Sequence, residues 1–588
     1  MRYWIGLVAL AAWGFQAPAV RDFTRFSQVM GADRTFRAFL PPSYAGIQKR
    51  YPVVYWFGQY SAREVSDWVA AHEVIVIHAS PVETVGQFPL YFSELVEQAD
   101  QTLRTLADRD HRAVTGSGEG GFMALWVAGK FPDLVASASS LIGATEASVG
   151  PRGFDTGYLL DDYYANYDGV RTMLATETPD PLRFYHQRLN AIWSYALPHH
   201  ETQSFDADAP ATAAVLDFHR RAFAEPLPRP AVFRHADVYP SFAVWGWEVS
   251  SDRRQPGVTA LDDVSAAGFR SVVREWLPGG AEIPGVKLAI ASARLYSPGS
   301  PHSVTYIRLK DGKLRHAVQK ADARGRLNFD LTGEAYEVGV SAGAAAAPAI
   351  TVSGYDITDA AWATAGAAVK LHVRFLNNGT ARSAVQTIRW ESPNPGVHLD
   401  PPASRLFVLL PGESLAVPVT IRVDDTARAV VKIVAVAGTS RVPVEVPLFP
   451  PTEPAKDFQI VDGRTVTLYQ HATERAATAL GEGNADGFAA PGESFAVLLP
   501  DAGGGLRAAE VFTNDPCVDN SMRASDSWDA YDHAGASVKY SLPAIRPQCE
   551  PGRPVHMLLR VVIPNTPEHR VEYRAVEFPI WWRTGPKK

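Results

Sequence analysis

The sequence predicts an α/β domain with a parallel sheet, followed by three domains rich in β-strand. Up to about residue 227, short apolar runs such as 51–57 and 73–79 alternate with segments of helical spacing such as 91–108. This alternation is typical of a parallel sheet covered by helices. Beyond residue 228, alternating strands closed by Gly, Asn, Asp or Pro follow one another, as they do in β-sandwiches. A chain of 588 residues is also too long for one hydrophobic core.

Proline-rich segments mark two of the domain boundaries. Residues 226–230 and 447–457 have the composition of linkers. We therefore expect five parts in chain order: a signal peptide over 1–19, an α/β domain over 20–227, and β-rich domains over 228–345, 346–450 and 451–588.

The first 19 residues have the layout of a secretory signal peptide. Arg2 supplies the positive end, residues 3–15 form an apolar run, and residues 17–19 fit a cleavage site after Ala19. The run is shorter than the roughly 20 residues that cross a bilayer. This predicts a secreted, periplasmic or cell-surface protein, with a membrane-anchored N-terminus as the alternative. The net charge of −7, without a Lys/Arg cluster, argues against nucleic acid and anionic membranes as partners.

A strand, a glycine-rich turn and a helix follow one another in HRAVTGSGEGGFMALWVAGK, residues 111–130. This is the layout of a nucleophile elbow, the sharp corner that lifts a hydroxyl above a parallel sheet. The corner needs positive φ at its apex, and small residues two places before and after it, where strand and helix touch. An apex at Gly118 meets this requirement with Gly116 and Gly120, whereas an apex at Ser117 would put a glutamate into the tight contact. The predicted apex therefore carries no hydroxyl.

The α/β domain resembles the esterase family of α/β-hydrolases, the group that contains S-formylglutathione hydrolases and feruloyl esterases. The similarity covers residues 30 to about 225, and these segments carry it: 34–44, 51–57, 104–125 and 130–139. The resemblance implies an α/β-hydrolase fold. It also implies hydrolysis of carboxylic esters by a serine, a histidine and an acid wherever those residues are kept. Gly118 stands at the position of the serine.

Some of the other functional positions that the resemblance assigns carry different residues in this chain. Family members carry a His-Gly pair that helps to form the oxyanion hole, and this chain has Gly58 followed by Gln59 there. The backbone N–H of Glu119 would supply another donor to that hole. Asp180 fits the position of the acid, but the slot for the base, residues 207–209, contains no histidine.

We therefore predict a catalytically degenerate, esterase-like protein with a binding or assembly role at the cell exterior. The alternative is an active carboxylic-ester hydrolase that acts on acyl esters of polysaccharides or on other small acyl esters, with Ser117 as its nucleophile. Glu119 and Asp180 as an acid/base pair are a weaker alternative, because the two carboxylates would repel each other. Three histidines of the region read as surface or helix residues: His199, His200 and His219.

The β-rich part indicates a binding partner rather than a reaction. The segments 375–383 and 409–421 resemble the immunoglobulin-like modules that bacteria string behind exported enzymes, and these modules mostly space, dock or bind. A carbohydrate or another cell-surface ligand is therefore the expected partner. Four aromatic residues either stack on sugars or form a packed core and domain seam, and we favour the core: Tyr239, Trp245, Trp247 and Trp276.

The best candidate for a cation site lies in the last domain, within residues 481–499. Counted from Glu482, the oxygen donors fall where a calcium loop of about twelve residues has its ligands, with Gly487 at the sharp turn. The candidate ligands are Glu482, Asn484, Asp486, the carbonyl of Phe488, and Glu493, and an acidic stretch could extend the site with Asp526, Asp529 and Asp532. The alternative is a polar loop whose side chains bind its own backbone.

No cofactor is expected for the α/β domain. The only two cysteines, Cys517 and Cys549, lie in the last domain, and in an oxidising compartment they could close one disulfide.

Overall fold

The computed structural model describes residues 19–79, 87–151, 154, 156–178, 183–206, 211–277, 280–427, 429–437, 440–469, 475–500, 506–513, 515–519, 523–525, 539–563 and 570–582. Several predicted features lie outside these residues: the signal segment before Ala19, Asp180, the base slot 207–209, and Asp526, Asp529 and Asp532.

The first domain contains one central sheet with helices and a small hairpin. Its described strands are β1 (Ala19–Ser27), β2 (Ala32–Leu40), β3 (Val53–Phe57), β4 (Ile75–Ala79), β5 (Arg112–Ser117), β6 (Ser137–Leu141), β7 (Glu146–Val149), β8 (Thr156–Leu159), β9 (Arg171–Thr178) and β10 (His200–Asp206). Its described helices are α1 (Ala62–Ala71), α2 (Phe88–Thr102), α3 (Glu119–Lys130), α4 (Arg183–Ala196) and α5 (Ala211–Ala224), with 3₁₀ turns at Pro42–Ala45, Arg109–His111 and Tyr164–Tyr167.

The sheet order is β1-β2-β4-β3-β5-β6-β9-β10. β1 and β2 run antiparallel to each other, β2 runs antiparallel to β4, and the strands from β4 to β10 are parallel. All five residues of β3 are buried, as expected for a strand covered by helices on both faces. β5 lies between β3 and β6, so the corner between β5 and α3 stands at the middle of the sheet edge.

Helices cover both faces of the sheet. α1 and α5 pack on one face, where Trp68 and Phe218 join a core with Val54 and Trp56 of β3. α2, α3 and α4 pack on the other face within a larger core. α1 begins at the N-cap Ser61, whose hydroxyl accepts a hydrogen bond from the Glu64 N–H at 3.3 Å. The strand and helix pattern therefore gives the three-layer α/β domain that the sequence predicts.

The second domain is built from strands that pack as two sheets around one core. The sheets have the orders β11-β14-β15-β20-β17-β18 and β12-β13-β16-β19. The strands are β11 (Phe233–Asp237), β12 (Ser241–Val244), β13 (Trp247–Ser251), β14 (Val258–Ser265), β15 (Gly268–Arg274), β16 (Lys287–Ala291), β17 (Pro301–Arg308), β18 (Lys313–Lys320), β19 (Asn328–Thr332) and β20 (Tyr336–Ala342).

The third domain also packs two sheets around its own core. Their orders are β21-β22-β26-β24 and β25-β23-β27-β28. The immunoglobulin-like identity of this domain stays a prediction. The strands are β21 (Ile350–Ile357), β22 (Ala368–Asn377), β23 (Gln386–Glu391), β24 (Val397–Asp400), β25 (Ala403–Leu406), β26 (Ser414–Val423), β27 (Val430–Ala437) and β28 (Ser440–Pro447).

The fourth domain has a sheet of order β29-β32-β33-β30-β31, a sheet of order β34-β39-β40, and the short pairs β35-β38 and β36-β37. The strands are β29 (Gln459–Val461), β30 (Thr465–Tyr469), β31 (Arg475–Ala479), β32 (Ala496–Pro500), β33 (Leu506–Ala508), β34 (Glu510–Phe512), β35 (Val518–Asp519), β36 (Arg523–Ser525), β37 (Lys539–Ser541), β38 (Ala544–Ile545), β39 (Pro554–Ile563) and β40 (Arg570–Pro579). A disulfide joins Cys517 and Cys549, with an S–S distance of 2.06 Å. Among the described helices, none is both long and apolar enough to cross a bilayer.

The first and second domains share a hydrophobic core. The core of the α2–α3–α4 face continues into β11, β14 and β15 through Ala236, Val238, Tyr239, Val258, Ala260 and Val272. Beside it, Lys130 at the end of α3 forms a buried ion pair with Asp237 of β11, with Nζ and Oδ2 2.6 Å apart. Asn166 exchanges two hydrogen bonds with the Ala236 backbone at 2.8 and 2.9 Å. The end of α3 is therefore fixed by the second domain.

The third domain joins the other two at Glu445. This carboxylate accepts hydrogen bonds from the Tyr164 hydroxyl at 2.5 Å and from Arg234 Nη1 at 2.7 Å. Tyr164 belongs to the first domain and Arg234 to the second, so one side chain that is only 10% exposed connects all three.

Candidate active site

The corner between β5 and α3 has the geometry of a nucleophile elbow. Gly118 lies at its apex with φ 56° and ψ −124° and is exposed together with Glu119. The Gly118 N–H donates to the Leu141 carbonyl of β6 at 3.1 Å, and its own carbonyl accepts from the Gly121 N–H at 3.0 Å. A positive φ suits glycine and strains other residues. The apex of the bend is thus held in place by the neighbouring strand and by the first turn of α3.

The glycines on either side of the apex lie where strand and helix touch. A Cβ on Gly116 would lie 2.2 Å from the Gly120 carbonyl oxygen, and a Cβ on Gly120 would lie 2.3 Å from the Phe57 carbonyl oxygen. A Cβ on Gly118 would meet no atom within 4 Å. A side chain at the apex would therefore project into open space, which is where an elbow presents its nucleophile. Gly118 presents a hydrogen atom there.

Ser117 is engaged with the backbone rather than with a base. Its hydroxyl donates to the Gln59 carbonyl at 2.5 Å, and the Trp56 indole donates to the same oxygen at 2.9 Å. Within the described part of the chain, no imidazole forms a hydrogen bond with Ser117. Ser117 therefore holds the loop that follows β3.

The oxyanion region is formed by the loop after β3 and the start of α3. Gly58 has φ 78°, and a Cβ there would lie 2.5 Å from the Ser117 carbonyl oxygen, so only glycine fits without a shift. Glu119 is the first residue of α3, which places its backbone N–H at the helix N-terminus beside the apex.

His78 adjoins this region and was not predicted as part of the site. Its Nε2 lies 3.0 Å from the Gly58 carbonyl, and its ring packs on Tyr60 with the centroids 4.0 Å apart. A carbonyl only accepts, so Nε2 carries the proton and His78 positions the loop of Gly58. Burial lowers the pKa of His78. In the sequence His78 only stands near the end of the apolar run 73–79, and the pairing of β4 with β3 brings it to the Gly58 loop.

His199 and His200 lie away from the apex. His200 pairs with Thr172 at the amino ends of β10 and β9, and its Nδ1 is 3.0 Å from the Thr172 hydroxyl. His199 directly precedes β10 at the same end. The elbow stands at the opposite, carboxyl end of the parallel strands.

His219 is fully buried between α5 and β6. Its Nδ1 and Nε2 each lie 2.8 Å from a serine hydroxyl, those of Ser137 and Ser139. Ser139 donates its own proton to the Thr115 hydroxyl at 2.7 Å, so its oxygen accepts from Nε2–H. His219 is therefore a neutral core residue that a substrate cannot reach.

Residues 91–221 match the model of the protein family described as "Putative esterase". This part of the chain is an esterase-like α/β-hydrolase domain. The resemblance that the sequence predicts is confirmed over this segment.

Solved structures similar to the esterase-like domain include three hydrolases. A ferulic acid esterase is 19% identical and covers 35% of this chain and 99% of its own, with a TM-score of 0.31. A ferulic acid esterase from Anaeromyces mucronatus is 16% identical and covers 36% and 94%, with a TM-score of 0.29. An S-formylglutathione hydrolase from Staphylococcus aureus is 15% identical and covers 35% and 97%, with a TM-score of 0.27. No curated protein matches the chain in sequence.

Two of the predicted triad positions of the esterase-like domain stay predictions. Asp180 and the slot 207–209 lie outside the described residues. The sequence alone shows that this slot holds Ala207, Asp208 and Ala209 rather than histidine.

The aromatic residues behind the esterase-like domain are largely packed. Trp247 lies in the core of the second domain, Tyr239 lies in the core shared with the first, and Trp276 is half-buried. Trp245 is buried at the seam, where the Arg109 guanidinium lies 5.2 Å from its ring. These contacts favour the packed core and seam over an exposed platform for sugars.

The predicted calcium loop has an internal hydrogen-bond network. Asp462 accepts from the Gly487 N–H at 2.9 Å, and Asn484 accepts from the Asp486 N–H at 2.9 Å. Glu493 is fully buried. Among the described residues, no group of three or more His, Cys, Asp or Glu side chains converges as a metal site. These contacts resemble the polar-loop alternative, and calcium binding stays a prediction.

Glu482 and Phe488 complete the set of predicted calcium ligands. Both are exposed, and the Phe488 ring stacks on Trp581 with the centroids 4.2 Å apart. The loop is thereby packed against the C-terminal end of the described chain.

Acid is expected to destabilise the esterase-like domain through His219. Burial lowers the pKa of His219 from 6.5 to about 3. Below pH 6.5, His219 becomes protonated in the unfolded chain but stays neutral in the folded core. The contribution of neutral His219 to the free energy of unfolding is therefore complete above pH 6.5 and is lost as the pH falls towards 3. Between pH 7 and pH 5 the loss is about 2 kcal/mol.

Urea unfolding of the wild type and His219→Gln at pH 7, 6 and 5 measures this effect. The wild type should lose more stability than the variant as the pH falls, and each histidine elsewhere is common to both proteins. Parallel pH profiles for the two proteins would show that His219 titrates normally in the folded state.

Proposed function

We propose that the chain is an exported protein whose esterase-like domain is catalytically degenerate and serves binding or assembly at the cell exterior. The observation that carries this proposal is the apex of the elbow. Gly118 has the backbone conformation and the open surroundings of a nucleophile position, but it has no hydroxyl. Acyl transfer through a serine needs an oxygen at this point and a base that removes its proton.

The surrounding residues do not replace the missing oxygen. Ser117 is one residue earlier, and its hydroxyl is committed to the Gln59 carbonyl. Glu119 is exposed at the start of α3, where its carboxylate has no described partner that would orient a water molecule. An active hydrolase of polysaccharide acyl esters or other small acyl esters would need Ser117 to leave that contact and to gain a base.

The backbone of the site supports a retained binding role. The Gly58 loop is fixed by His78, by Ser117 and by its close contact with β5. Such fixed loops at the carboxyl edge of a parallel sheet are where α/β domains bind ligands. The partner proposed for it is a carbohydrate or another cell-surface ligand.

Labelling with a fluorophosphonate probe tests the degenerate site directly. Purified chain from residue 20 onward should show no covalent adduct by intact-mass measurement, and no turnover of an aryl acetate beyond that of Ser117→Ala. An adduct that maps to Ser117 and disappears in Ser117→Ala would overturn the proposal in favour of the active hydrolase. Glycan-array binding by the same chain tests the ligand class, and secretion with an N-terminus at Val20 tests export.

A further inference from the structure

An open cavity of about 540 Å³ lies at the surface of the seam between the first and second domains, and the proposed role of the elbow does not use it. Its wall includes Asp133, Arg229, Trp245, Arg294, Leu295 and Arg326. Asp133 follows the C-terminal end of α3, whereas the elbow lies at the N-terminal end of that helix. The cavity is therefore a separate site, which we call the arginine cavity.

The turn that forms one wall of the arginine cavity is rigidly fixed. Trp245 has φ 50°, a conformation that a bulky residue rarely adopts. Its N–H donates to Asp133 Oδ2 at 2.8 Å, and its carbonyl accepts from Arg229. The adjoining Gly246 approaches Ala293 so closely that an added Cβ would lie 3.3 Å from the Ala293 Cβ. The wall is thus held in a strained shape by contacts from both domains.

The charges around the arginine cavity favour an anion. Three guanidinium groups and one carboxylate line it, and the carboxylate of Asp133 is already engaged by the Trp245 N–H. Arg326 binds Glu248 through Nη1 at 2.6 Å, and its buried Nε has no hydrogen-bond partner among the described residues. Arg294 is exposed and forms no ion pair or side-chain hydrogen bond within the described part of the chain. Guanidinium donors therefore outnumber the acceptors available to them.

The size and the apolar wall indicate more than a bare ion. Protein sites for small organic ligands have volumes of roughly 300–1,000 Å³, and this cavity lies in that range. Leu295 and Ala293 supply apolar surface beside the guanidinium groups. The fork of a guanidinium binds carboxylate, sulfate and phosphate oxygens in pairs.

We propose that the arginine cavity binds a small organic molecule that bears a carboxylate, sulfate or phosphate group. Arg294 and Arg326 bind the oxyanion, and the exposed side chain of Leu295 contacts the body of the ligand. The site is independent of chemistry at the elbow.

Calorimetric titration of the whole chain, in a buffer free of phosphate and at low salt, tests this proposal. The probes are glucuronate, glucose 6-sulfate, glucose 6-phosphate, inorganic sulfate and neutral glucose. We expect at least one of the three charged sugars to bind at least tenfold more tightly than both glucose and inorganic sulfate. We also expect Arg294→Ala to weaken that binding about tenfold and added salt to weaken it further.

Arg63→Ala is the matched control, because Arg63 is an exposed arginine of α1 with only a distant ion-pair partner, 3.7 Å away. It should bind as the wild type does. Failure of all three charged sugars to bind, equal binding of glucose, equal binding of inorganic sulfate, or unchanged binding in Arg294→Ala would each overturn the proposal.

Discussion

Gly120→Ala is expected to destabilise the esterase-like domain by more than about 3 kcal/mol, whereas Gly118→Ala is expected to cost about 1–3 kcal/mol. The new Cβ at position 120 would lie 2.3 Å from the Phe57 carbonyl oxygen and 2.6 Å from the Gly58 nitrogen, and both are backbone atoms that cannot rotate away. At position 118 the Cβ has free space, and the only cost is the positive φ. Urea unfolding followed by tryptophan fluorescence compares the first transition of each variant.

Gly46→Ala is the control for these two substitutions. Gly46 also has no atom within 4 Å of its added Cβ, and its φ of −105° is an ordinary one. Its stability should stay within about 0.5 kcal/mol of the wild type. If Gly118→Ala proved more damaging than Gly120→Ala, the elbow would not be centred on Gly118, and the reading of the site would be wrong.

The elbow could be predicted from sequence because its constraints are local. The contact of strand and helix requires small residues at fixed spacing around one apex, and Gly118 satisfies that spacing with Gly116 and Gly120. The same locality explains why β3, β5 and α3 follow the apolar pattern closely. A short-range steric requirement can therefore be recognised in a single sequence.

Contacts that depend on strand order could not be predicted in this way. His78 reaches the Gly58 loop only because β4 lies beside β3. Trp245 occupies a Trp-Gly turn, which on its own would leave a large apolar ring exposed, yet it is buried in the core of the second domain and contacted by Arg109 and Asp133 of the first. The contacts of His78 and Trp245 depend on how separate segments of the chain pack together. The residue spacing within one segment therefore does not predict them.

Lys130→Met is expected to destabilise the chain by about 3–5 kcal/mol, because it removes the lysine ammonium from a buried Asp237 carboxylate that then keeps the Tyr239 N–H and His235 as neighbours. Nζ and Oδ2 are 2.6 Å apart, and the two side chains are only 6% and 3% exposed. They also lie next to the core that the first two domains share. Unfolding measured by tryptophan fluorescence and by calorimetry should show both domains losing stability together, since the ion pair joins the end of α3 to β11.

A double substitution separates the loss of the ion pair from the loss of packing. Lys130→Met combined with Asp237→Leu removes both charges, so much of the lost stability should return. Arg63→Ala, at a surface pair of 91% and 73% exposed side chains, should change stability by less than about 0.5 kcal/mol. If Lys130→Met behaved like Arg63→Ala, the pair would not be buried in solution. The inference that a core shared by the first two domains fixes the C-terminal end of α3 would then be wrong.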